Sequence, residues 1–429
     1  MANAPAAATE PDVARTCEDL ATRALDASRS LNDAETGSRT VALERVADRL
    51  IEAADEIIAA NATDLATGRD LGLSAAMLDR LTLDGPRIEK MAASVRQIAA
   101  QVDPVGQVIE GYVRPNGLRI EKVRVPIGVV LIIYESRPNV TSDAAALCIK
   151  SGNSVILRGG KESFASNTRI ARAVADGIAE ASLPRDCVQL VPTTDRAAVG
   201  HLLKMVDRID VAIPRGGESL IRAVVEQAHI PVIKHYTGNC HVYVDAHADD
   251  EMAREICVNA KTQRPGVCNA AETILIHREA AERGLLARIC ADLAAAGCEI
   301  RGDASTRSAF SGAAAATEED WSAEYLDLRI AVGVVDDLDA AVAHINRYGS
   351  RHTDAIVTRR IEAADAFVQR VDSANVFVNC STRFSDGGEY GLGAEIGIST
   401  DKLHARGPMG AADLTTYKWV ARGDGQVRT

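Results

Sequence analysis

The strongest constraint on the fold is a regular alternation of apolar, strand-like runs and helical patterns in the middle third of the chain. The predicted strands are short and almost entirely apolar, at 127–134, 154–157, 187–191, 209–213 and 232–233. Helical patterns separate them, at about 142–150, 164–181, 195–206 and 217–228. This alternation predicts a parallel sheet that is covered by helices on both faces. Such sheets bind ligands beyond the carboxyl ends of their strands.

The pattern restarts after residue 246 and predicts a second α/β unit. A helix over 249–261 leads to a turn and a strand over 273–277, and later strands are expected at 330–335, 353–357 and 375–379. Between the N-terminal helical region and the first sheet, Arg114-Pro-Asn-Gly117 separates two strand-like runs, which is a strong hairpin signal.

The composition narrows the class of protein. A net charge of −12 argues against nucleic acid as the main partner, because phosphate backbones require clustered Lys and Arg. The nine cysteines are scattered and contain no Cys-x-x-Cys pair, so neither a disulfide framework nor a zinc site is expected. No segment has the roughly 20 apolar residues of a membrane span, and the N-terminal region does not resemble a signal peptide. We therefore expect a cytoplasmic protein.

Cys268 is the strongest candidate for a reactive group. It follows a Pro-Gly turn and lies between the helical pattern over 249–261 and the strand over 273–277. Loops between ordered elements are where reactive groups are usually presented. Buried free cysteines are also common in protein cores, so this segment alone leaves a structural role open.

Asn139 is a second candidate, in the loop that leaves the first predicted strand. Thr141 or Ser142 is expected to cap the helix that follows this loop. A side-chain amide can stabilise an oxyanion without offering a transferable proton. A turn or capping role for Asn139 is the alternative.

Two glycine-containing loops have the composition of anion sites. Arg158-Gly159-Gly-Lys161 leaves the second predicted strand, and Gly216-Gly217 leaves the strand over 209–213. Glycines allow close backbone approach, and a helix N-terminus beside basic groups binds phosphate. On a dinucleotide fold these basic residues favour a 2′-phosphate over a bare ribose. Exposed turns with solvated charges are the alternative.

The remaining motifs carry less information. The glycines of 391–397 have the wrong spacing for a dinucleotide loop. The nine histidines include no His-x-x-x-His pair, and His235, His241 and His247, which flank a strand, are interpreted as structural. No metal is expected, and no histidine is a compelling partner for a catalytic thiol.

Taken together, these segments resemble the aldehyde dehydrogenase superfamily over nearly the whole chain. The most specific matches are 125–128, 134–141, 152–161, 236–245, 263–272, 379–389, 395–399 and 406–410. The resemblance implies a Rossmann-type cofactor domain (1–105 and 123–246), a catalytic α/β domain (247–398) and a small β oligomerisation element (106–122 and 399–429). It is strongest with a branch that reduces L-glutamyl 5-phosphate with NADPH to L-glutamate 5-semialdehyde and phosphate, through a cysteine thioester, in the second step of proline biosynthesis.

The resemblance also implies roles for individual residues. Cys268 stands where the superfamily has its nucleophile, Asn139 where it has its oxyanion-hole amide, and Glu324 where a Glu holds the nicotinamide ribose. The basic and glycine loops, with Arg158, Gly159, Lys161, Gly216 and Gly217, are the expected NADPH contacts. Arg383, Ser385 and Arg406 are expected to recognise the charged groups of the substrate.

Two departures from the aldehyde-oxidising relatives favour a reductase. Their Glu general base falls near Tyr236, and a reductase of acyl phosphates must avoid hydrolysing its thioester. A Glu typical of NAD-dependent relatives is replaced near Lys161, which favours NADPH.

Several alternatives stay open at this point. A CoA-acylating aldehyde dehydrogenase shares the thioester and also lacks the water-activating base. A cofactor-free cysteine acyltransferase and a non-catalytic dinucleotide-binding scaffold are alternatives from other classes. The hairpin and the final segment 411–429 suggest a homo-oligomer, and the upstream glutamate kinase is a candidate partner.

Overall fold

The computed structural model describes residues 10–428, which form two compact units. Within these residues, unit 1 comprises 10–234, 391–397 and 409–428, and unit 2 comprises 235–390 and 398–408. The division falls before the predicted boundary at residue 246, because the strand Cys240–Val244 pairs with strands of unit 2. None of the described helices combines the length and apolar character that crossing a bilayer requires.

Unit 1 contains an N-terminal group of helices, a parallel sheet with its own helices, and a small antiparallel sheet. Its helices are α1 Glu10–Asn32, α2 Thr36–Glu52, α3 Ala54–Asp70, α4 Ala75–Leu81, α5 Gly85–Ala100, α6 Asn139–Lys150, α7 Phe164–Glu180, α8 Ala197–Leu202 and α9 Glu218–Gln227. Its strands are β1 Val108–Val113, β2 Arg119–Pro126, β3 Val129–Tyr134, β4 Ser154–Arg158, β5 Val188–Leu190, β6 Val211–Arg215 and, near the C-terminus, Thr415–Arg422.

The parallel sheet of unit 1 has the strand order β5-β4-β3-β6. Every residue of β3 is buried, which explains why its sequence is continuously apolar rather than alternating. The chain runs outward from β3 to β5 and then returns to add β6 on the other side of β3. The strand order therefore reverses between β3 and β6, which is where sheets of this type bind ligands. Residue Val232, predicted within a strand, makes only an isolated bridge to Ala212.

The antiparallel sheet confirms the predicted hairpin. β1 and β2 pair across the turn at Arg114–Gly117, and Gly117 adopts a positive φ of 87°. The strand Thr415–Arg422 pairs with the other side of β2 over its full length. Apolar side chains on β1, among them Val108 and Val113, are 56% and 66% exposed.

Unit 2 is a second α/β unit with a larger parallel sheet. Its helices are α10 Asp250–Thr262, α11 Arg278–Glu282, α12 Leu285–Ala295, α13 Ala304–Ala309, α14 Leu338–Tyr348 and α15 Ile361–Arg370. Its strands are β7 Cys240–Val244, β8 Ala271–His277, β9 Glu299–Gly302, β10 Ala314–Ala315, β11 Arg329–Val335, β12 Thr353–Val357, β13 Asn375–Val378, β14 Ile398–Ser399 and β15 Gly407–Pro408. The strand Thr415–Arg422 of unit 1 is the last in the chain and is named β16.

The large sheet has the order β10-β9-β11-β8-β7-β12-β13, with every pair parallel. Its apolar core is built from buried Val, Ile, Leu and Ala side chains of the strands and of α10 and α12. Strand neighbours do not follow chain order here, since β7 lies between β8 and β12. This non-sequential order decides which loops meet at each edge of the sheet.

Candidate active site

Cys268 lies in the short loop 263–270 between α10 and β8, as the sequence predicts. Its side chain is partly buried, as is that of Cys380, whereas the other seven cysteines are fully buried. Burial raises the pKa of Cys380 and of each of those seven thiols. Because the thiolate is the reactive form, these eight thiols are poor nucleophiles at neutral pH.

The backbone around Cys268 is held by contacts within unit 2. Asn269 Nδ2 donates a hydrogen bond of 2.8 Å to the carbonyl of Ser385, and the Cys240 thiol donates one of 3.2 Å to the carbonyl of Cys268. At Gly238, a Cβ atom would lie 2.0 Å from the carbonyl oxygen of Cys268. Glycine is therefore required at 238, and the segment before β7 fixes the position of the Cys268 loop.

Two histidines lie beside Cys268. A ring nitrogen of His235, a ring nitrogen of His352 and Cys268 Sγ lie within 4.8 Å of one another. The two imidazole rings contact each other edge to face, with centroids 5.3 Å apart. His235 is partly exposed, whereas His352 is fully buried. The sequence indicates no compelling histidine partner for the thiol, whereas the structure places two histidines beside it.

The cluster forms because its members precede neighbouring strands. Cys268, His235 and His352 stand at most five residues before β8, β7 and β12, which are adjacent in the sheet, and Glu324 stands five residues before the next strand, β11. The amino ends of parallel strands meet at one edge, so these side chains come together there. Ligand groups are expected at the carboxyl ends of parallel strands, where the loops of unit 1 lie, but this cluster lies at the amino ends. The sequence feature that could have indicated this cluster is the presence of polar residues directly before the predicted strands.

Glu324 is connected to the Cys268 loop through Gly238. Its Oε1 accepts a hydrogen bond of 2.9 Å from the backbone N–H of Gly238, whose Cα packs against Cys268. The predicted ribose ligand and the predicted nucleophile thus contact the same short segment of unit 2.

Arg383 and Ser385, two of the three predicted substrate ligands, lie in unit 2 near Cys268. Arg383 Nε donates to Gln263 Oε1 at 2.9 Å, and its charge lies close enough to interact with Cys268. Burial lowers the pKa of Arg383, and nearby Arg264 acts in the same direction. Ser385 is fully buried, and its hydroxyl accepts a hydrogen bond from Thr353. Ser385 therefore supports the site through its neighbours and does not expose its hydroxyl.

Arg406, the third predicted substrate ligand, is engaged in a surface ion pair. Its Nη2 lies 3.0 Å from Asp372 Oδ1 and also donates to the Asp372 carbonyl. Lys402 binds the same carboxylate at 2.7 Å. A substrate group would have to compete with Asp372 for this guanidinium, so Arg406 is a weaker candidate than Arg383.

Asn139 lies in unit 1, at the carboxyl end of β3, and its side chain is exposed. The helix α6 begins at Asn139 itself, so neither Thr141 nor Ser142 caps it as predicted. Asn139 Nδ2 donates to Asp143 Oδ2 at 3.0 Å, one turn along the helix. An amide has two N–H hydrogens, so one remains for an oxyanion.

The two basic residues at the end of β4 and in the loop after it, Arg158 and Lys161, have different surroundings. Arg158 donates to the carbonyls of Gly159 and Thr194, and burial lowers the pKa of its guanidinium. Lys161 is exposed. A Cβ atom at Gly159 would lie 2.0 Å from Asn167 Nδ2, so the loop requires glycine there. Lys161 is therefore the better placed of the two cations to meet a bound phosphate.

The Gly216-Gly217 loop follows β6, at the point where the strand order of unit 1 reverses. The N–H of Gly217 donates to Glu135 Oε2 at 3.2 Å, and α9 begins at the next residue. No heavy atom lies within 4 Å of where a Cβ of Gly217 would stand. Gly217 therefore has open space beside its backbone, whereas a Cβ atom at Gly216 would lie 2.5 Å from Glu135 Oε2.

Comparison with known proteins identifies the family. The model of the aldehyde dehydrogenase family matches residues 3–318. The chain belongs to the aldehyde dehydrogenase family, and the predicted fold class is confirmed.

Its relatives narrow the assignment within that family. The gamma-glutamyl phosphate reductase of Rhodopirellula baltica is 55% identical over 417 residues, which cover 97% of this chain and 96% of the relative. The structure of gamma-glutamyl phosphate reductase from Thermotoga maritima has a TM-score of 0.94 at 43% identity, covering 96% of this chain and 100% of that one. An acetylating aldehyde dehydrogenase from Geobacillus thermoglucosidasius, with a TM-score of 0.69 and 16% identity, covers 98% of this chain and 99% of its own and shares the fold alone. The predicted enzyme class, an oxidoreductase of this group, is confirmed.

Proposed function

We propose that the chain is an NADPH-dependent glutamate-5-semialdehyde dehydrogenase of the phosphorylating type. It reduces L-glutamyl 5-phosphate to L-glutamate 5-semialdehyde and phosphate, the second step of proline biosynthesis, in the cytoplasm. The observation that carries the proposal is a partly buried Cys268 in a tight backbone cradle, within a chain 55% identical to a protein named for this reaction.

The chemistry begins at the Cys268 sulfur. Its thiol gives up a proton, for which the ring nitrogens of His235 and His352 are neighbouring acceptors. The thiolate attacks the γ-carbonyl carbon, a C–S bond forms, and phosphate leaves with the electron pair of the broken C–O bond. Asn139 is the proposed amide donor to the oxyanion of this step; one such donor contributes roughly 3–4 kcal/mol.

NADPH, when bound, supplies the hydride that reduces the thioester carbon. Residues Lys161, Gly159, Gly216 and Gly217 of unit 1 are the proposed contacts for its phosphates, and Glu324 for its nicotinamide ribose. After reduction the C–S bond breaks, Cys268 recovers its thiolate, and the aldehyde is released.

The thioester must survive until it is reduced. Aldehyde-oxidising relatives need a Glu that activates water, and the matching position here falls near Tyr236, two residues before the Gly238 contact with Cys268. A tyrosine at that position does not supply the carboxylate that such a base requires. This replacement supports a reductase over a hydrolytic aldehyde oxidase.

An assay in the oxidative direction tests the proposal. Purified protein with L-glutamate 5-semialdehyde, NADP and phosphate is expected to produce NADPH, measured by its absorbance, only when phosphate or arsenate is present. Replacing phosphate with CoA is expected to abolish the signal. NADPH formation that needs CoA and not phosphate would instead identify a CoA-acylating enzyme.

Lys161 gives a prediction about cofactor choice. Lys161→Ala is expected to raise the KM for NADP by roughly 10- to 150-fold, because a charge-assisted hydrogen bond to the 2′-phosphate contributes about 1.5–3 kcal/mol. The KM for NAD should change little. Lys204→Ala, an exposed lysine of the same unit, is the matched control. Equal losses with NAD and NADP would place Lys161 away from the 2′-phosphate.

The proposed assembly is a homo-oligomer formed through the sheet β1-β2-β16. β1 pairs only with β2 among the described strands and carries exposed apolar side chains, and Trp419 on β16 is 52% exposed. Exposed apolar residues on an unpaired edge strand favour contact with another copy. The segment 399–408, predicted to belong to this element, lies in unit 2 instead. Association with the upstream glutamate kinase stays a hypothesis.

A further inference from the structure

The cluster of Cys268, His235 and His352 has the composition of a metal site. One thiol sulfur and two imidazole nitrogens lie within 4.8 Å of one another. Thiolate and imidazole are ligands that Zn²⁺ prefers. The spacing of cysteines and histidines in the sequence gives no sign of this site. Its three ligands come from segments far apart in the chain, which meet only in the folded sheet.

The hydrogen bonds of the two rings leave Nε2 of each neutral ring as the nitrogen with a lone pair for a metal. His235 Nδ1 lies 2.7 Å from the carbonyl oxygen of Ile398. A carbonyl can only accept, so this nitrogen carries the hydrogen and Nε2 carries the lone pair. His352 Nδ1 lies 2.8 Å from Thr353 Oγ1, whose hydrogen is donated to Ser385 Oγ. Histidine ligands of metals are typically fixed in this way through the second nitrogen.

We propose that Cys268, His235 and His352 bind a borderline-soft divalent cation, for which Zn²⁺ is the probe, and that binding reversibly blocks the nucleophile. A metal–sulfur bond forms as the thiol proton leaves to solvent, with no change in oxidation state. Three protein ligands leave a fourth position for water or an anion. A sulfur whose lone pair is bound to the cation cannot attack an acyl carbon.

The distances permit coordination after a small movement. Bonds of about 2.3 Å to sulfur and about 2.0–2.1 Å to nitrogen place the ligand atoms of a tetrahedral site roughly 3.5 Å apart. The cluster must therefore contract by at most about 1.3 Å from its upper limit of 4.8 Å. His235 is the less buried of the two histidines, so its ring is the one expected to move.

Arg383 limits the affinity. Its positive charge lies close enough to interact with Cys268 and therefore repels a dication bound there. We therefore expect binding that is weaker than at a structural zinc site and that a chelator reverses. Mg²⁺ prefers oxygen ligands and is not expected to bind here.

Cobalt spectroscopy tests binding without relying on activity. Co²⁺ is the first probe, because a cobalt–thiolate bond gives a charge-transfer absorption band. We expect the band at one Co²⁺ per chain, its loss on adding Zn²⁺, and its absence in Cys268→Ser. His235→Ala is expected to weaken the affinity at least tenfold, on the order of other metal-site losses. His247→Ala, at an exposed histidine of unit 2, is the matched control. A band that persists in Cys268→Ser, or an unchanged affinity in His235→Ala, would overturn the proposal.

Alkylation of the unsubstituted protein gives a second measurement, since His352 is buried and its replacement could unfold the chain. Zn²⁺ is expected to slow the reaction of Cys268 with iodoacetamide at least about tenfold. The thiolate is the form that reacts, and its lone pair would be bound to the cation. Mg²⁺ should have no effect, and Cys380 serves as an internal reference by peptide mass spectrometry. Equal alkylation rates with and without Zn²⁺ would contradict the site.

The effect on turnover rests on the proposed function, but binding does not. If both hold, Zn²⁺ inhibits the phosphate-dependent reaction and a chelator restores it. A cobalt–thiolate band in a protein without that activity would keep the metal site and reject the proposed function. An active enzyme with no cobalt–thiolate band and no inhibition by Zn²⁺ would reject the metal site and keep the proposed function.

Discussion

Replacing Cys268 with Ala is expected to lower kcat for phosphate-dependent oxidation of L-glutamate 5-semialdehyde by roughly 10⁴- to 10⁶-fold. Losses of this size follow removal of a nucleophile that forms a covalent intermediate. Alanine removes the sulfur and leaves the loop contacts of Asn269 and Gly238 in place, since those contacts involve other atoms. The affinity for NADP should be nearly unchanged, which binding measurements on the variant can check.

Cys380→Ala is the matched control for this substitution. Cys380 is the other partly buried cysteine of unit 2, and burial raises the pKa of its thiol. Its removal should leave kcat within about twofold of the original, as for most substitutions away from the reacting groups. Mass spectrometry of the protein mixed with substrate should find acylation on the Cys268 peptide alone. Turnover of the Cys268→Ala variant above a few per cent of normal would remove the thioester from the mechanism.

The sequence was sufficient for elements whose patterns are local. The continuous apolar run of β3 and the helices around it predict the parallel sheet of unit 1, and the Pro-Gly turn predicts the Cys268 loop. The Asn-Gly dipeptide predicts the β1-β2 hairpin. In each case the physical cause, burial on both faces or a positive φ at Gly117, acts within a few residues.

The sequence was not sufficient for contacts that depend on strand order. His235 and His352 meet Cys268 because β8, β7 and β12 are neighbours in the sheet, and no local pattern specifies that order. The ion pair of Arg406 with Asp372 could not be predicted from the sequence either, because it joins segments more than thirty residues apart. Periodicity predicts which face of a strand is buried, but not which strand lies beside it.

A buried ion pair joins the two ends of the loop that carries Cys268. Lys261 Nζ, in the last turn of α10, lies 2.6 Å from Glu272 Oε2 on β8, and both side chains are fully buried. Burial raises the pKa of Glu272 to about 7, and the charge of Lys261 acts in the opposite direction. The pair therefore offsets a large desolvation cost for both groups.

Lys261→Met is expected to lower the free energy of unfolding of unit 2 by about 1–2 kcal/mol at about pH 8, because the buried carboxyl group of Glu272 then loses its counter-charge and must take up a proton. The double variant Lys261→Met/Glu272→Met should recover most of this loss, since apolar replacements of a buried pair are often neutral. Urea unfolding followed by Trp321 fluorescence in a Trp419→Phe background reports on unit 2, because the chain has two tryptophans and Trp321 alone lies there. Lys402→Met breaks an exposed pair with Asp372 at 2.7 Å and should change stability by no more than about 1 kcal/mol.

The pH dependence of the Lys261→Met variant separates lost charge from lost packing. An acid whose pKa is raised in the folded state, here from 4.5 in Glu272, binds its proton more tightly than the unfolded chain does. Stability then falls as pH rises through the interval between the two values, and removing Lys261 extends that interval upward. The deficit relative to the unsubstituted protein should therefore be small near about pH 5 and larger, by up to about 1.4 kcal/mol, at about pH 8, one unit above the folded pKa. A deficit of the same size at both pH values would show that Lys261 contributes through the packing of its side chain, and that the charge on Glu272 is neutralised by some other group.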